Sequence, residues 1–310
     1  MTGPEERLKM AYVARRYYRD DATRSEIADE IGVSRFKIAR MLERAKDLGI
    51  IKFEISAGDL VDPGLSVDLQ KRFGLHRALV VTAPSEGEDI VREFVGRAAA
   101  HLLSEIVEEG DVVGFTSGRT VYAVAGFLET LPRCDVVALG GVAGQATEHG
   151  VEILRRAQRI AGGKMWPIFA PLVVRDPATA RALLQDPLIH QAASQFRRVT
   201  KGVVAVGSWN PPNSQLYDAA RELGYAEDML AQGVVGEVAA TLFAEDGRII
   251  KTIDDRTIAI RAETLKKIPE VICVAGGASK ARAMRAAISA GLVHSVVTDA
   301  SLARELLALA

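Results

Sequence analysis

The sequence predicts an α/β protein with two parts: a small N-terminal (winged) helix-turn-helix domain and a larger, doubly wound, mainly parallel α/β domain. Residues 5–48 hold three segments in which apolar residues recur at helical spacing. From residue 78 onward, apolar runs of strand length alternate with helical segments, the pattern of a parallel sheet covered on both faces. Gly, Pro and Asp are concentrated over residues 56–64, as in a linker.

The N-terminal part begins with a helix over residues 5–19, which the pair Asp20 and Asp21 ends. Thr23 and Glu26 have the spacing of a capping box and predict a short helix over residues 24–31.

Gly32 suits a tight turn after the second helix. Ser34 is placed to cap a third helix that runs to about residue 48, and Gly49 is placed to end it. Residues 50–55 alternate imperfectly and predict a strand.

Two short helices joined by a glycine turn, after a supporting helix, are typical of a DNA-binding helix-turn-helix. The second helix of such a pair lies in the major groove, where arginine and lysine bind guanine edges and phosphates. We therefore expect DNA contacts from the caps and the basic face of this pair: Thr23, Ser34, Arg35, Phe36, Lys37, Arg40 and Arg44. The simpler interpretation is a solvated basic helix.

Composition limits the classes of function. The net charge of the 310 residues is −1, which argues against a general attraction to nucleic acid, yet residues 1–56 carry 12 Lys and Arg against 10 Asp and Glu. No apolar run approaches the ~18 residues of a membrane span. The polar residues 1–9 lead into no apolar segment, so we expect neither a secretory signal nor a membrane, and a cytoplasmic location.

The two cysteines, Cys134 and Cys273, lie in apolar runs. They are too few for a disulfide framework or a four-cysteine zinc site, and we expect two buried, reduced thiols.

The larger part is predicted to form strands over residues 78–82, 112–115, 136–139, 203–206, 271–275 and 295–298. Helices are predicted over residues 90–107, 120–130 and 280–290. Residues 234–260 depart from this alternation and predict an antiparallel hairpin, with strands over 236–243, 248–250 and 257–260.

Ligands of open α/β sheets bind at the carboxyl ends of strands. Three predicted strand ends carry Gly, Ser, Thr or Lys, over residues 113–120, 139–142 and 275–280. Such loops present backbone N–H groups to an anion, and Lys280 adds a positive charge. Each loop alone is more often a plain turn, but the three together favour a small phosphate-bearing ligand.

No arrangement of residues compels catalysis. The five histidines are scattered, and neither zinc-ligand spacing nor a Gly-x-Ser-x-Gly motif is present. We expect no catalytic residue, no metal and no cofactor. The pair Glu148 and His149 is more simply explained as a solvated loop than as an acid and a base.

These segments resemble the SorC/DeoR-type bacterial transcriptional regulators, which have a sugar-phosphate-binding C-terminal domain. The resemblance spans nearly the whole chain. It rests on residues 13–18, 25–28, 32–35 and 38–42 of the N-terminal part, and on 110–114, 118–120, 140–142, 233–237, 275–280 and 298–299 of the C-terminal part. Two positions differ from the family pattern, Ser117 where an aromatic residue is usual and Ala300 where Glu is frequent.

The resemblance implies a DNA-binding domain over residues 1–56, a linker over 57–63 and an effector domain over 64–310. It implies a transcriptional regulator of carbohydrate catabolism, not an enzyme, that binds operator DNA as a homo-oligomer (dimer or tetramer) and responds to a sugar phosphate or related polyol. Lys280 would meet the phosphate and Glu237 would accept sugar hydroxyls. The effector-binding residues implied are Ser117, Gly118, Arg119, Thr120, Gly140, Gly141, Glu237, Gly276, Gly277, Lys280 and Asp299.

Two other hypotheses remain open at this point. One is a sugar-phosphate isomerase or deaminase with a fused N-terminal module, in which Asp299 or Glu148 would be the base. The other makes residues 1–56 a protein-interaction module, which would lack salt-sensitive affinity for DNA.

Overall fold

The computed structural model describes residues 3–52, 61–143 and 147–310, with the backbone alone for residues 147–149. The chain divides into two units, Met1–Ser56 and Ala57–Ala310, each with its own internal contacts.

The first unit consists of three helices, α1 (Pro4–Tyr18), α2 (Arg24–Ile31) and α3 (Arg35–Asp47). Their apolar faces meet in a small core that includes Val13 on α1, Ile27 on α2 and Ile38 on α3, all fully buried. The three predicted helices are thus confirmed, and the bounds of each lie within about one residue of those expected.

The caps of α2 and α3 form as the sequence predicts. The Thr23 hydroxyl accepts the Glu26 N–H, while the Glu26 carboxylate accepts the Thr23 N–H at 2.8 Å. Gly32 then takes a left-handed conformation with φ +69°, which glycine adopts without steric cost. The Ser34 hydroxyl accepts the Lys37 N–H and caps α3.

The strand expected over residues 50–55 does not begin where predicted. Ile50 and Ile51 instead donate their N–H groups to the Ala45 carbonyl, so the chain turns back against the end of α3. Residues 53–55 lie outside the described residues.

The second unit is an α/β fold with twelve strands among its described residues. The strands are β1 (Arg77–Val81), β2 (Val112–Phe115), β3 (Cys134–Ala138), β4 (Gly162–Trp166), β5 (Lys201–Val204), β6 (Val206–Trp209), β7 (Pro212–Asn213), β8 (Val234–Val238), β9 (Thr241–Ala244), β10 (Ile249–Ile250), β11 (Glu270–Val274) and β12 (Ser295–Asp299). The helices are α4 (Pro63–Phe73), α5 (Glu88–Ile106), α6 (Arg119–Phe127), α7 (Thr147–Ala161), α8 (Pro177–Gln185), α9 (Pro187–Ser194), α10 (Gln215–Glu222), α11 (Ala226–Ala231), α12 (Ala262–Leu265), α13 (Ala281–Ser289) and α14 (Ala300–Ala308). Short 3-10 turns occupy Gln195–Arg198, Asp254–Arg256 and Ala278–Lys280.

Seven of these strands form one parallel sheet in the order β1-β12-β11-β5-β2-β3-β4. Every residue of β2, β11 and β12 is buried, so both faces of the sheet are covered at its centre. The predicted parallel α/β architecture is therefore confirmed.

The other five strands form an antiparallel sheet in the order β10-β9-β8-β6-β7. The apolar run 203–206 crosses between the sheets: β5 ends at Val204 in the parallel sheet and β6 begins at Val206 in the antiparallel one. The sequence pattern treated this run as a single strand, because apolar residues fill both halves.

Residues 234–260 include antiparallel strands, as predicted, but the bounds of these strands differ from those expected. The expected single strand over 236–243 is two strands, β8 and β9, joined at Ala239 and Ala240, which both have positive φ. Alanine is not typical of hairpin turns, so the sequence pattern does not predict this reversal. The prediction of a strand over 257–260 is also wrong, since this segment makes only isolated bridges, from Thr257 to Val173 and from Ala259 to Gly140.

Both cysteines are buried free thiols, as predicted. Burial raises the pKa of the Cys134 thiol to about 11 and that of the Cys273 thiol to about 12, so both remain protonated near neutral pH. Across the described residues, no helix has the length and apolarity required to cross a membrane.

Candidate functional site

The face of α3 that the sequence assigns to DNA is exposed. Phe36, in the first turn of α3, is 67% exposed. The buried side of α3 is made by Ile38, Leu42 and Ala45. The predicted DNA-binding residues all lie on the solvent side: Thr23, Ser34, Arg35, Phe36, Lys37, Arg40 and Arg44.

The charges on this face are largely available. The Arg35 guanidinium lies over the Phe36 ring at 5.1 Å. Arg44 pairs with Glu6 of α1 at 2.7 Å. In the described part of the first unit, no carboxylate forms an ion pair with Arg35, Lys37 or Arg40. The structure thus supplies three exposed cationic side chains in the first two turns of α3, where a recognition helix contacts base edges.

The second unit contains a cavity of about 150 Å³, which has room for a small organic molecule rather than a single water. It opens beside the carboxyl ends of β2, β3 and β11. Ten of the eleven predicted effector-binding residues line it: Ser117, Gly118, Arg119, Thr120, Gly140, Gly141, Glu237, Gly276, Gly277 and Lys280. Residues from distant parts of the chain are therefore brought together as the strand-end argument expects.

Asp299 does not line the cavity. Its Oδ1 accepts the Gly277 N–H at 2.8 Å, and its Oδ2 accepts the Ser301 N–H at 3.0 Å, so the side chain caps α14 and fixes the glycine loop. An aspartate bound in this way is a poor candidate for the base of an enzyme. The other candidate base, Glu148, and its neighbour His149 lie outside the described side chains.

One wall of the cavity is built from backbone. Gly118 precedes α6 with φ +148°, and Gly277 precedes the turn into α13 with φ +92°. Gly276 allows close packing, because a Cβ there would lie 2.4 Å from the Val91 side chain. The start of α6 therefore offers backbone N–H groups and the Thr120 hydroxyl, which suits an anion.

Glu237 of β8 is the buried acid of the site. Its Oε2 accepts the Trp209 Nε1–H at 2.5 Å and its Oε1 accepts the Ser214 hydroxyl at 2.8 Å. Burial raises the pKa of the Glu237 carboxyl to about 7, although these hydrogen bonds and Lys280 act in the opposite direction. Gly207 leaves room for the carboxyl, since a Cβ there would lie 1.9 Å from Oε1.

Lys280 and Arg119 are two of the cationic side chains that line the cavity. Burial lowers the pKa of the Lys280 ammonium, and Glu237 opposes this change. The Lys280 Nζ donates to the Val206 carbonyl at 3.3 Å, and Arg119 donates to Asn213 Oδ1 at 3.3 Å. Arg92 also lines the cavity but is paired with Glu88 and Asp89 at its rim. A cavity with Arg119, Lys280, backbone donors and one buried acid can hold a molecule that carries both an anionic group and hydroxyl groups.

Sequence reasoning missed Trp209, Asn213 and Ser214, which come from the end of β6, β7 and the cap of α10. The stretch Asn210-Pro-Pro-Asn-Ser214, rich in turn residues and ending in a helix cap, is the signal that could have located this loop. Among the described residues, no group of three or more His, Cys, Asp or Glu side chains is placed to hold a metal.

Comparison with known proteins identifies relatives of the whole chain. The family model "Putative sugar-binding domain" matches residues 62–308. The transcriptional regulator LsrR of Enterobacter sp. (strain 638) is 28% identical, with 99% of this chain and 94% of the relative covered. The deoxyribonucleoside regulator of Bacillus subtilis is 26% identical, with 94% of this chain and 95% of the relative covered.

The same fold is found in a solved structure. The full-length sorbitol operon regulator SorC of Klebsiella pneumoniae matches with a TM-score of 0.72 and 23% identity, covering 98% of this chain and 100% of that chain. These relatives are regulators and not enzymes, which confirms the expectation that the chain is no enzyme.

Proposed function

The chain belongs to the sugar-binding domain family of SorC/DeoR-type transcriptional regulators, and from this premise we propose that it binds operator DNA under the control of a phosphorylated sugar. In this proposal residues 1–56 bind DNA, residues 57–63 are a linker and residues 64–310 bind the effector. The protein acts in the cytoplasm, where DNA and sugar phosphates are both available.

The observation that carries the DNA-binding half is the face of α3. Arg35, Lys37 and Arg40 are exposed beside the cap at Ser34, as expected of a helix whose first turns enter the major groove. A solvated basic helix would explain their charge, but it would not explain why the cap at Ser34 and the left-handed turn at Gly32 precede them in the order of a helix-turn-helix.

The cavity supports the effector half. Arg119, Lys280 and the start of α6 suit a phosphate group, while Glu237 suits a hydroxyl donor. Two relatives are named for a sorbitol operon and for deoxyribonucleosides, which favours a sugar or polyol as the effector's carbon skeleton. We assign the effector to phosphorylated sugars and polyols of five or six carbons.

The proposal includes assembly as a dimer or tetramer. Helix-turn-helix proteins bind paired half-sites about one helical turn or its multiples apart, which requires at least two copies of the reading helix. Light scattering of the purified chain, alone and with DNA, measures this directly, and a monomer in both states would contradict it.

Substitution of Arg35 tests the assignment of the reading helix. We expect Arg35→Ala to weaken binding to the operator about fivefold or more, because one bidentate arginine–guanine contact is worth about 1–3 kcal/mol. Fluorescence anisotropy at a fixed salt concentration, with DNA from upstream of the protein's own gene, provides the measurement. The control is Arg7→Ala, which removes an exposed arginine from α1. Equal affinities for wild type and Arg35→Ala would exclude this role for α3.

A further inference from the structure

One short segment of the second unit contacts all three charged side chains considered above for the effector: Glu237, Arg119 and Lys280. This segment, residues 206–214, comprises β6, β7 and the α10 cap Ser214. It contacts Glu237 twice, through the Trp209 ring N–H and the Ser214 hydroxyl. We refer to it below as the 206–214 segment.

The same segment holds the cations. Asn213 accepts a hydrogen bond from the Arg119 guanidinium at 3.3 Å, and the Val206 carbonyl accepts one from the Lys280 ammonium at 3.3 Å. The nearest carboxylate to Arg119 is Glu88, at 3.9 Å and with a side chain 68% exposed, so that pairing is weak.

The hydrogen-bond partners that the 206–214 segment supplies to Glu237, Arg119 and Lys280 are all neutral, so they do not cancel the charges of these side chains. A neutral acceptor orients a guanidinium without cancelling its charge, and Arg119 keeps most of its five N–H donors for a ligand. Glu237 likewise uses one lone pair on each oxygen and retains others. The segment therefore fixes the directions of these groups and leaves their binding capacity in place.

We propose that Asn213 and Ser214 are positioning residues that divide the specificity of the cavity between them. Asn213 sets recognition of the phosphate group by holding Arg119, and Ser214 sets recognition of the sugar hydroxyl by holding Glu237. The inference rests on the proposed function, since it assumes that a sugar phosphate occupies this cavity.

Ser214 also caps α10, so the test must separate this structural role from its hydrogen bond to Glu237. Its hydroxyl accepts the Tyr217 N–H at 3.0 Å at the start of α10 and donates to Glu237 at the same time. Threonine keeps both bonds and alanine keeps neither, so Ser214→Thr is the matched control for Ser214→Ala.

The Asn213 test uses calorimetric titration with inorganic phosphate, ribose 5-phosphate, fructose 6-phosphate and sorbitol 6-phosphate, together with ribose, fructose and sorbitol. For each phosphorylated probe that binds wild type, we expect Asn213→Ala to lower the affinity about threefold to tenfold. For any free sugar that binds wild type, the affinity should change by less than about twofold. In an Arg119→Ala background the same substitution should have no further effect, because its action passes through Arg119.

The Ser214 test is the pH dependence of affinity for the tightest of those phosphorylated probes. The groups facing Glu237 are Ser214, Trp209 and the Lys280 ammonium. The carboxylate accepts a ligand hydroxyl best when ionised, so wild-type affinity should rise as pH passes through about 7.

Loss of the Ser214 hydrogen bond raises the pKa of Glu237 further, so the rise in Ser214→Ala should move to higher pH by about half a unit or more. Ser214→Thr should follow wild type. Titration of the probe's own phosphate near pH 6 is common to all variants and does not alter the comparison.

The outcomes are distinct. If wild type binds none of the probes, the proposed function falls and this inference falls with it. If wild type binds, but Asn213→Ala retains wild-type affinity for phosphorylated probes or Ser214→Ala retains the wild-type pH profile, the inference alone is overturned. Circular dichroism of each variant establishes that its fold is intact.

Discussion

At the scale of single residues, the distinctive feature is an acid placed where an ionised carboxyl is costly. Glu237 is buried on β8, and its two hydrogen bonds and Lys280 only partly offset the loss of solvent. Because its pKa of about 7 lies above that of an unfolded chain, the native state holds this proton more tightly. Glu237 therefore contributes most to stability below about pH 4.5, and that contribution is lost as pH rises through about 7.

Replacement of Glu237 tests this directly. Glu237→Gln removes the ionisable group but keeps a similar shape, so we expect it to raise the free energy of unfolding at pH 8 by on the order of 2 kcal/mol relative to wild type. At pH 5 the two proteins should differ by much less. Urea unfolding at both pH values is the measurement, with Glu305→Gln as the control on the exposed face of α14. A benefit that is equal at pH 5 and pH 8 would show that ionisation of Glu237 is not the cause.

The sequence predicts the glycine loops and the cations of this cavity, but not the residues that contact Glu237. Gly118, Gly140 and Gly277 follow strands, and the carboxyl ends of parallel strands meet at one edge of the sheet, so their convergence follows from the pattern. Asn213 and Ser214 reach the cavity through the antiparallel sheet, whose pairing depends on contacts between distant segments that no local pattern encodes.

At the scale of elements, local rules account for the first unit. The capping box at Thr23, the turn at Gly32 and the cap at Ser34 are all short-range hydrogen bonds or backbone preferences, and all three form. The predicted strand does not begin at Ile50, because the N–H groups of Ile50 and Ile51 donate to the Ala45 carbonyl and are not available for strand pairing.

The turn between α2 and α3 provides the element-scale prediction. Gly32→Ala forces a side chain into the left-handed region at φ +69°, so we expect a loss of about 1 kcal/mol of stability in the first unit and weaker operator binding. A Cβ at Gly32 meets nothing within 4 Å, so the effect isolates backbone strain. The control is Gly32→Asn, which should cost less, because Asn adopts the left-handed conformation more readily than Ala. Equal thermal unfolding of the two variants would contradict the assigned role of the turn.

The hairpin between β8 and β9 shows what short-range signals omit. Ala239 and Ala240 adopt positive φ without the Asn or Gly that usually marks such a turn. Pairing of β8 with both β6 and β9 imposes the reversal, so the tertiary context overrides local preference.

At the scale of the whole molecule, alternating strands and helices were enough to predict a parallel sheet, although not its strand order β1-β12-β11-β5-β2-β3-β4. That order brings β11 between β12 and β5, so the glycine loop before Lys280 and the loop before α6 border the same cavity.

Function at this scale requires a coupling free energy: the ligand must bind one arrangement of the molecule better than another.

The most direct measurement is operator affinity by fluorescence anisotropy at fixed salt, with and without a saturating phosphorylated sugar, for wild type and Lys280→Met. The concentration is set by thermal stabilisation of wild type, since stabilisation follows occupancy. The account predicts that the sugar phosphate changes wild-type affinity by about fivefold or more, and that Lys280→Met binds the operator normally but does not respond. An unchanged wild-type affinity at full occupancy, or a normal response in Lys280→Met, would contradict it.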